Sequence, residues 1–451
     1  MTATTAAGTE TAAPALGPWR KLGYAAGAAG IGVAGVPSSL LLLFYLTEIV
    51  RVPPATAGLL IGLTKIWDVL VDPALGGAVE RYSRRRGARA PLAFVSALAY
   101  VLALLGLFAL PAQAGPLGSL LLVVTLLIVS SVAHTAFLVL KLALADDMTR
   151  GAAQRMGLFA YSGVLTALLT LAATAMVPFL IRWGGDGARG YALMACGIAV
   201  FGALSFLAFL LSTRHYPVRQ DSGKAAEPAL WQSIRLSFGN RPYYYLLGFL
   251  LCFGTSAGLL SAFLPYINQY LLRAGPGSLS VLGSITLLCM LLSMPLIALL
   301  VRRYGNLGTV RYANTVFLLS FPLLWLASYG PTWATWSAVA VFGLGAGGMA
   351  ILLQSTIIDI AKLRLAGGVV VSMGVYLGIF MAAQKLGQSA GSVVAGLLLD
   401  WSGFVPGQAE QNARALEVLR LGYTLAPMGL TALGTLCVWR IRLSEGGAEE
   451  D

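Results

Sequence analysis

An all-α polytopic membrane protein, with twelve transmembrane helices in two six-helix bundles, is the fold class this sequence predicts, and three observations predict it. The chain of 451 residues is 58% hydrophobic and only 11% charged, with a mean hydropathy of +0.80; soluble domains carry roughly 25% charged residues. Apolar stretches of the roughly 20 residues needed to cross a bilayer recur along its length. The longest polar interruption, from Thr213 to Pro242, divides them six and six.

Taken in order, residues 1–18 are rich in Ala and Thr, with Glu10 as their charge. They lack the basic-then-apolar layout of a signal peptide and read as a disordered cytoplasmic tail. Spans follow near 22–48, 55–80, 91–113, 117–145, 156–181 and 190–212, a first bundle within 19–213. The cytoplasmic central loop, 214–242, contains Ala229–Phe238, whose pattern suits a short helix lying on the membrane surface. A second bundle within 243–442 holds spans near 243–272, 277–301, 310–329, 333–360, 368–399 and 416–439, and a tail of 443–451 closes the chain. Basic segments after the second span (Arg81–Arg89) and the eighth (Val301–Arg311) occupy matching places, a weak internal repeat of the kind two-bundle carriers show.

The net charge of +12 is explained by topology. With a cytoplasmic N-terminus, Arg51, Arg182, Arg189, Arg273, Arg414 and Arg420 lie outside, Lys65, Lys141 and Lys385 lie inside spans, and the rest of the thirty Lys and Arg fall on the cytoplasmic side. The positive-inside rule then places both termini in the cytoplasm of a plasma (inner) membrane protein and favours an even number of spans. No nucleic-acid partner is implied. Cys196, Cys252, Cys289 and Cys437 sit in apolar spans without metal-type spacing, so neither a metal nor a disulfide is expected.

Two enzyme-like patterns fail on context. Gly343–Gly348 (GLGAGG) matches a dinucleotide fingerprint, and Gly254–Gly258 (GTSAG) matches a nucleophile elbow. Both lie inside spans with no strand before them, whereas each chemistry needs a strand-turn-helix. An enzyme is not expected, and no cofactor beyond a coupling ion.

The buried charges are the informative residues. A charge at the bilayer centre costs at least ~2.5–3.5 kcal/mol, so such residues line a pathway or pair with one another. At 100° per residue Lys65, Asp68 and Asp72 fall along one stripe of the second span. Two carboxylates one turn apart repel, which favours protonation of one of them; a nearby lysine can neutralise the other. The stripe therefore reads either as a proton or Na⁺ site or as an interhelical salt bridge.

Several segments resemble a known family: Lys21–Gly27 (KLGYAAG), Leu43–Glu48 (LFYLTE), Ala57–Gly58, Ile66–Gly76 (IWDVLVDPALG), Arg81–Pro91 (RYSRRRGARAP), Gln384–Gly387 (QKLG), Gly396–Leu399 (GLLL) and Gly403–Pro406 (GFVP). They are similar to the glycoside–pentoside–hexuronide:cation symporters, the melibiose-permease-like branch of the major facilitator superfamily. The resemblance implies that Asp68 and Asp72 bind the coupling cation with Thr135 and Lys385 close by. Where the family has Asn before the second Asp this chain has Val71, a lost oxygen ligand that tilts the expectation from Na⁺ to H⁺. The carboxylates that hold the sugar in that branch fall at Gly32 and Leu138, or at Ala28 in relatives with an earlier acid. A sugar is thus the family's implication but lacks its charge-assisted partners.

The expectation is a cation-coupled symporter of a small solute, acting by alternating access as a monomer in the lipid bilayer. Lys385 reads either as a latch on the aspartates or as a ligand for an anionic solute. Lys65, Tyr24, Lys141, His134, Gln354, Tyr376, Gln384 and Gln388 are candidate solute contacts. Set against this, Lys141 can extend its stem to the headgroups, and a lone His on an apolar helix, as His134 is, reads first as a hydrogen-bonded core residue. Glu80 and Arg84, Arg85 and Arg86, meeting Asp147 or Asp359, are candidates for a cytoplasmic gate, with topology alone as the other duty of these arginines. The alternatives in function are an exporter or carrier of an organic anion or lysolipid-like solute and, from another class, a non-transporting membrane assembly or receptor protein.

Overall fold

The computed structural model describes residues 16–109, 116–149, 152–185, 187–218, 241–273, 276–347, 349–362 and 373–441. Among them every regular element is helical, as a bilayer requires of chains that must satisfy their own backbone groups. The helices are α1 (Pro18–Leu40, bent by 50° into Leu42–Ile49), α2 (Pro54–Arg86), α3 (Ala90–Phe108), α4 (Pro116–Met148), α5 (Ala152–Trp183) and α6 (Ala188–Thr213). The second half has α7 (Arg241–Tyr266, continued by Ile267–Leu271), α8 (Pro276–Ala327), α9 (Thr332–Ala346), α10 (Met349–Lys362), α11 (Met373–Trp401), α12 (Ala413–Tyr423) and α13 (Leu425–Arg440). Proline opens α1, α2, α4 and α8, where its missing N–H costs nothing.

Eight of these helices are long and apolar enough to cross a membrane, nine if the bent α1 counts as one. Twelve crossings were expected from the sequence. Part of the difference is α8, whose 52 residues are broken at Gly305 (φ 68°, ψ 178°). Two expected loops prove mostly helical. Helix α2 continues to Arg86, because no residue before Gly87 (φ 69°) demands a turn; Val301–Arg311 is helical apart from that break at Gly305. The suggested surface helix Ala229–Phe238, the tail 443–451 and the tail 1–18 apart from residues 16–18 lie outside the described residues.

Helix α1 packs on α5 and α6, α3 on α4 and α6, and α2 on α4; in the second half α7 packs on α11 and α13, and α8 on α9. Small residues allow the closest crossings. A Cβ on Gly254 of α7 would lie 3.1 Å from the Cα of Gly387 on α11, which is how helices approach without a hydrophobic driving force between them. Ser256, from the GTSAG stretch, is spent on packing: its hydroxyl bonds the Pro427 carbonyl at 3.2 Å.

Three helix pairs join the halves, α2 with α11 and α5 with α8 most extensively, and α1 with α7. The Ser389 hydroxyl of α11 donates to the Gly62 carbonyl of α2 (3.1 Å), and Ser280 of α8 donates to the Ala175 carbonyl of α5 (2.9 Å). Towards the end of the molecule opposite Pro18, here the far end, the apolar core of the first half continues without interruption into Phe263, Tyr266, Tyr270 and Phe404 of the second. The structure is a state closed at that far end.

Candidate functional site

Helices α2 and α4 run parallel, and their polar residues match turn for turn. The Ser131 hydroxyl donates to Asp68, and one turn further on Thr135 donates to the Asp72 carboxylate at 2.7 Å. Each aspartate also holds a lysine. Lys65 bonds Asp68 at 3.2 Å from within α2, whereas the lysine on Asp72 is Lys385, from α11 in the other half. The result is two carboxylates, two ammonium groups and two hydroxyls at the middle of the membrane helices. Asp68 is nearly sealed, with 4% of its side chain exposed, while Asp72 keeps 24%. The lysines are more open, at 43% for Lys65 and 36% for Lys385.

All four residues named from sequence for the cation are thus brought together. Ser131 was missed, although its spacing of four residues before Thr135 repeats the spacing of the two aspartates. Val71 is partly buried beside the cluster and offers no oxygen. His134 packs its ring on Tyr100, 5.1 Å between centroids.

The remaining solute candidates divide. Tyr24 is fully buried, tilted against Phe209, and its hydroxyl donates to the Lys141 carbonyl at 3.1 Å. In this state it is a packing residue rather than a wall of an open site, a correction to its expected place. The Lys141 ammonium lies 5.3 Å from the Tyr24 ring centroid, a cation–π contact that draws it inward. Gln384 is partly buried and Gln388 exposed on α11. The side chains of Gln354 and Tyr376 lie outside those described.

Of the residues expected at a cytoplasmic gate, Asp147 has a described partner beyond those named from the sequence. Asp147, at the end of α4, pairs with Arg89, and both side chains are almost wholly buried, at 2% and 4% exposure. The Gly87 turn that ends α2 brings Arg89 to this buried carboxylate, which needs a bonded counter-ion to be tolerated there. Arg85 and Arg86 are exposed, and the Arg86 guanidinium lies over the Tyr82 ring. Asp146 pairs with Arg155 at the surface. The side chains of Glu80, Arg84 and Asp359 fall outside those described.

A model of MFS/sugar transport proteins matches residues 23–445. The chain belongs to that family. It is a multi-pass membrane transporter of the major facilitator type rather than an enzyme, and the symporter family recognised in IWDVLVDPALG and QKLG is the one its relatives represent. It is 25% identical to the uncharacterized symporter YnaJ of Bacillus subtilis (strain 168), covering 94% of this chain and 92% of that one. It is 24% identical to the glucuronide carrier protein homolog of Escherichia coli (strain K12), covering 95% and 93%. Its fold is similar to the crystal structure of the nucleoside transporter NupG, with a TM-score of 0.69 at 13% identity over 94% of this chain and all of that one.

Proposed function

We propose that this transporter is a secondary active carrier that couples movement of a small polar solute to a cation, H⁺ in preference to Na⁺, by rocking its two halves about a central site. The observation that carries the reading is the pairing of Asp72 on α2 with Lys385 on α11. That ion pair links the halves at the middle of the membrane, so whatever neutralises Asp72 also frees α11. A proton needs one carboxylate oxygen, whereas Na⁺ needs several oxygens at once, and Val71 supplies none. The asymmetry of basic residues supports twelve crossings with both termini in the cytoplasm of the plasma membrane. The carrier acts as a monomer, since both halves of the site come from one chain.

A second reading concerns the solute. Gly32 stands where a sugar-holding acid is expected, and the Thr166 and Thr170 side chains fill the space over it. Lys65 and Lys385, by contrast, are the open ammonium groups of the site. Together with the glucuronide named for one relative, this favours a hydroxylated organic anion over a neutral sugar. Proteoliposome uptake of uronates against neutral glycosides tests it. Preference for the neutral compounds, unchanged in Lys65→Gln, would discard the anion reading.

A further inference from the structure

The far end is closed by residues that occupy equivalent positions in the two halves. Ser261 donates to the Ser39 carbonyl at 2.9 Å across a separation of 222 residues. Tyr270 donates its hydroxyl to Glu48 at 2.9 Å across the same 222. The correspondence extends through the backbone. Helix α1 and helix α7 each end in a five-residue widened turn, Tyr45–Ile49 and Ile267–Leu271. Each is followed by an arginine in the left-handed region, Arg51 (φ 67°) and Arg273 (φ 47°), the two non-glycine residues with positive φ among those described. Prolines Pro54 and Pro276 then open the next helices. Two equivalent residues can touch only near the axis that relates the halves, so Ser39–Ser261 and Glu48–Tyr270 mark that axis at the far mouth.

Glu48 is the ionisable member of this contact, and it is only 6% exposed. Its second oxygen accepts a hydrogen bond from the backbone N–H of Gly407 at 2.8 Å, in the turn between α11 and α12. One carboxylate of the first half is therefore held by two donors of the second. Beside it Thr47 shares a 2.6 Å hydrogen bond with Tyr266. The Arg51 guanidinium covers Gly407 so closely that a Cβ there would lie 1.4 Å from Nη1, and the φ of 77° at Gly407 also calls for glycine.

We propose that Glu48 is the latch of the far-end gate. Its carboxylate, bonded to Tyr270 and Gly407, holds the far mouth shut, and parting these bonds is the step that opens the molecule on that side. The grip is specific to a carboxylate: two donors converge on it, and an amide would set its own N–H₂ against one of them. The proposal goes beyond the coupling site, because the halves would part at Glu48 whichever ion or solute is moved.

Spin labels test it without a known solute. In a background lacking the native cysteines, Trp183→Cys with Trp333→Cys reports the far end, and Arg214→Cys with Arg303→Cys reports the opposite end. In Glu48→Gln and in Tyr270→Phe the ratio of far-open to far-closed molecules should rise by about tenfold each, the worth of one hydrogen bond to a charged group. The distance at the opposite end should shorten in the same molecules. Unchanged distributions in both variants would overturn the latch. So would a far end that opens with no answering movement at the other end, since that is the behaviour of a static brace. Tyr270→Phe removes a single oxygen, so it decides the question even if Glu48→Gln fails to fold. A failure of ion coupling leaves these distances untouched, which separates the two readings.

Discussion

Lys385 and Asp72 form an ion pair between helices that belong to different halves of the transporter, while Lys65 and Asp68, one turn away, form theirs within a single helix. The difference assigns the two aspartates different work. The Asp68 pair can persist through any rigid movement of α2 against α11; the Asp72 pair cannot.

Asp72→Asn should therefore abolish cation-driven accumulation while leaving downhill exchange of solute in place, because the halves lose an ionic tie but keep their packing. Counterflow and uphill uptake measured on the same proteoliposomes check this. Loss of both together, in folded protein, would place Asp72 in solute binding instead.

Ser131→Ala should weaken the dependence on the driving cation by about tenfold, the order expected for a hydrogen bond to a charged group. Thr135→Ala should do the same at Asp72, and Thr135→Ser should restore it. Titration of transport rate against the cation gradient reads all three.

Arg89→Ala should cost up to about 3–5 kcal/mol of stability, because it removes a buried counter-ion bonded to the Asp147 carboxylate. Arg155→Ala breaks a pair whose side chains are 40% and 50% exposed and should cost no more than about 1 kcal/mol. Thermal unfolding in detergent, followed by fluorescence, should separate the two by well over the error of the method.

Gly391→Val should prevent assembly of the second half. A Cβ at Gly391 would lie 2.5 Å from the Thr255 carbonyl oxygen and 2.6 Å from the Leu259 nitrogen, and backbone cannot retreat without parting α7 from α11. The readout is the yield of monodisperse protein, with Gly77→Ala as the control, since a Cβ at Gly77 meets nothing within 4 Å.

How much of this was legible beforehand follows from the range over which each signal acts. Composition and span length fixed the membrane class, and helical spacing alone put Lys65, Asp68 and Asp72 on one stripe. Thr135 and Lys385 were reached through family resemblance, since nothing local to either joins it to Asp72. Ser131 was missed although its spacing from Thr135 copies that of the aspartates. Arg89 was missed because the loop was expected to begin near residue 80, so the arginines nearest the span end, and not the one beyond the Gly87 turn, were matched to Asp147. Glu48 and Tyr270 were missed for a different reason: 222 residues separate them, and only aligning IVRVPP with LLRAGP would have set them at equivalent places.

The central claim is that a cation taken up at Asp72 displaces Lys385 and drives the carrier. The most direct test is solute-evoked pH change inside proteoliposomes, measured for the native chain and for Asp72→Asn with a panel of uronates, other organic acids, glycosides and lysolipids, with and without Na⁺. A proton signal is expected in the native chain and is abolished in Asp72→Asn. An equal proton signal from Asp72→Asn, or solute accumulation that proceeds with neither proton nor Na⁺ movement, would contradict it.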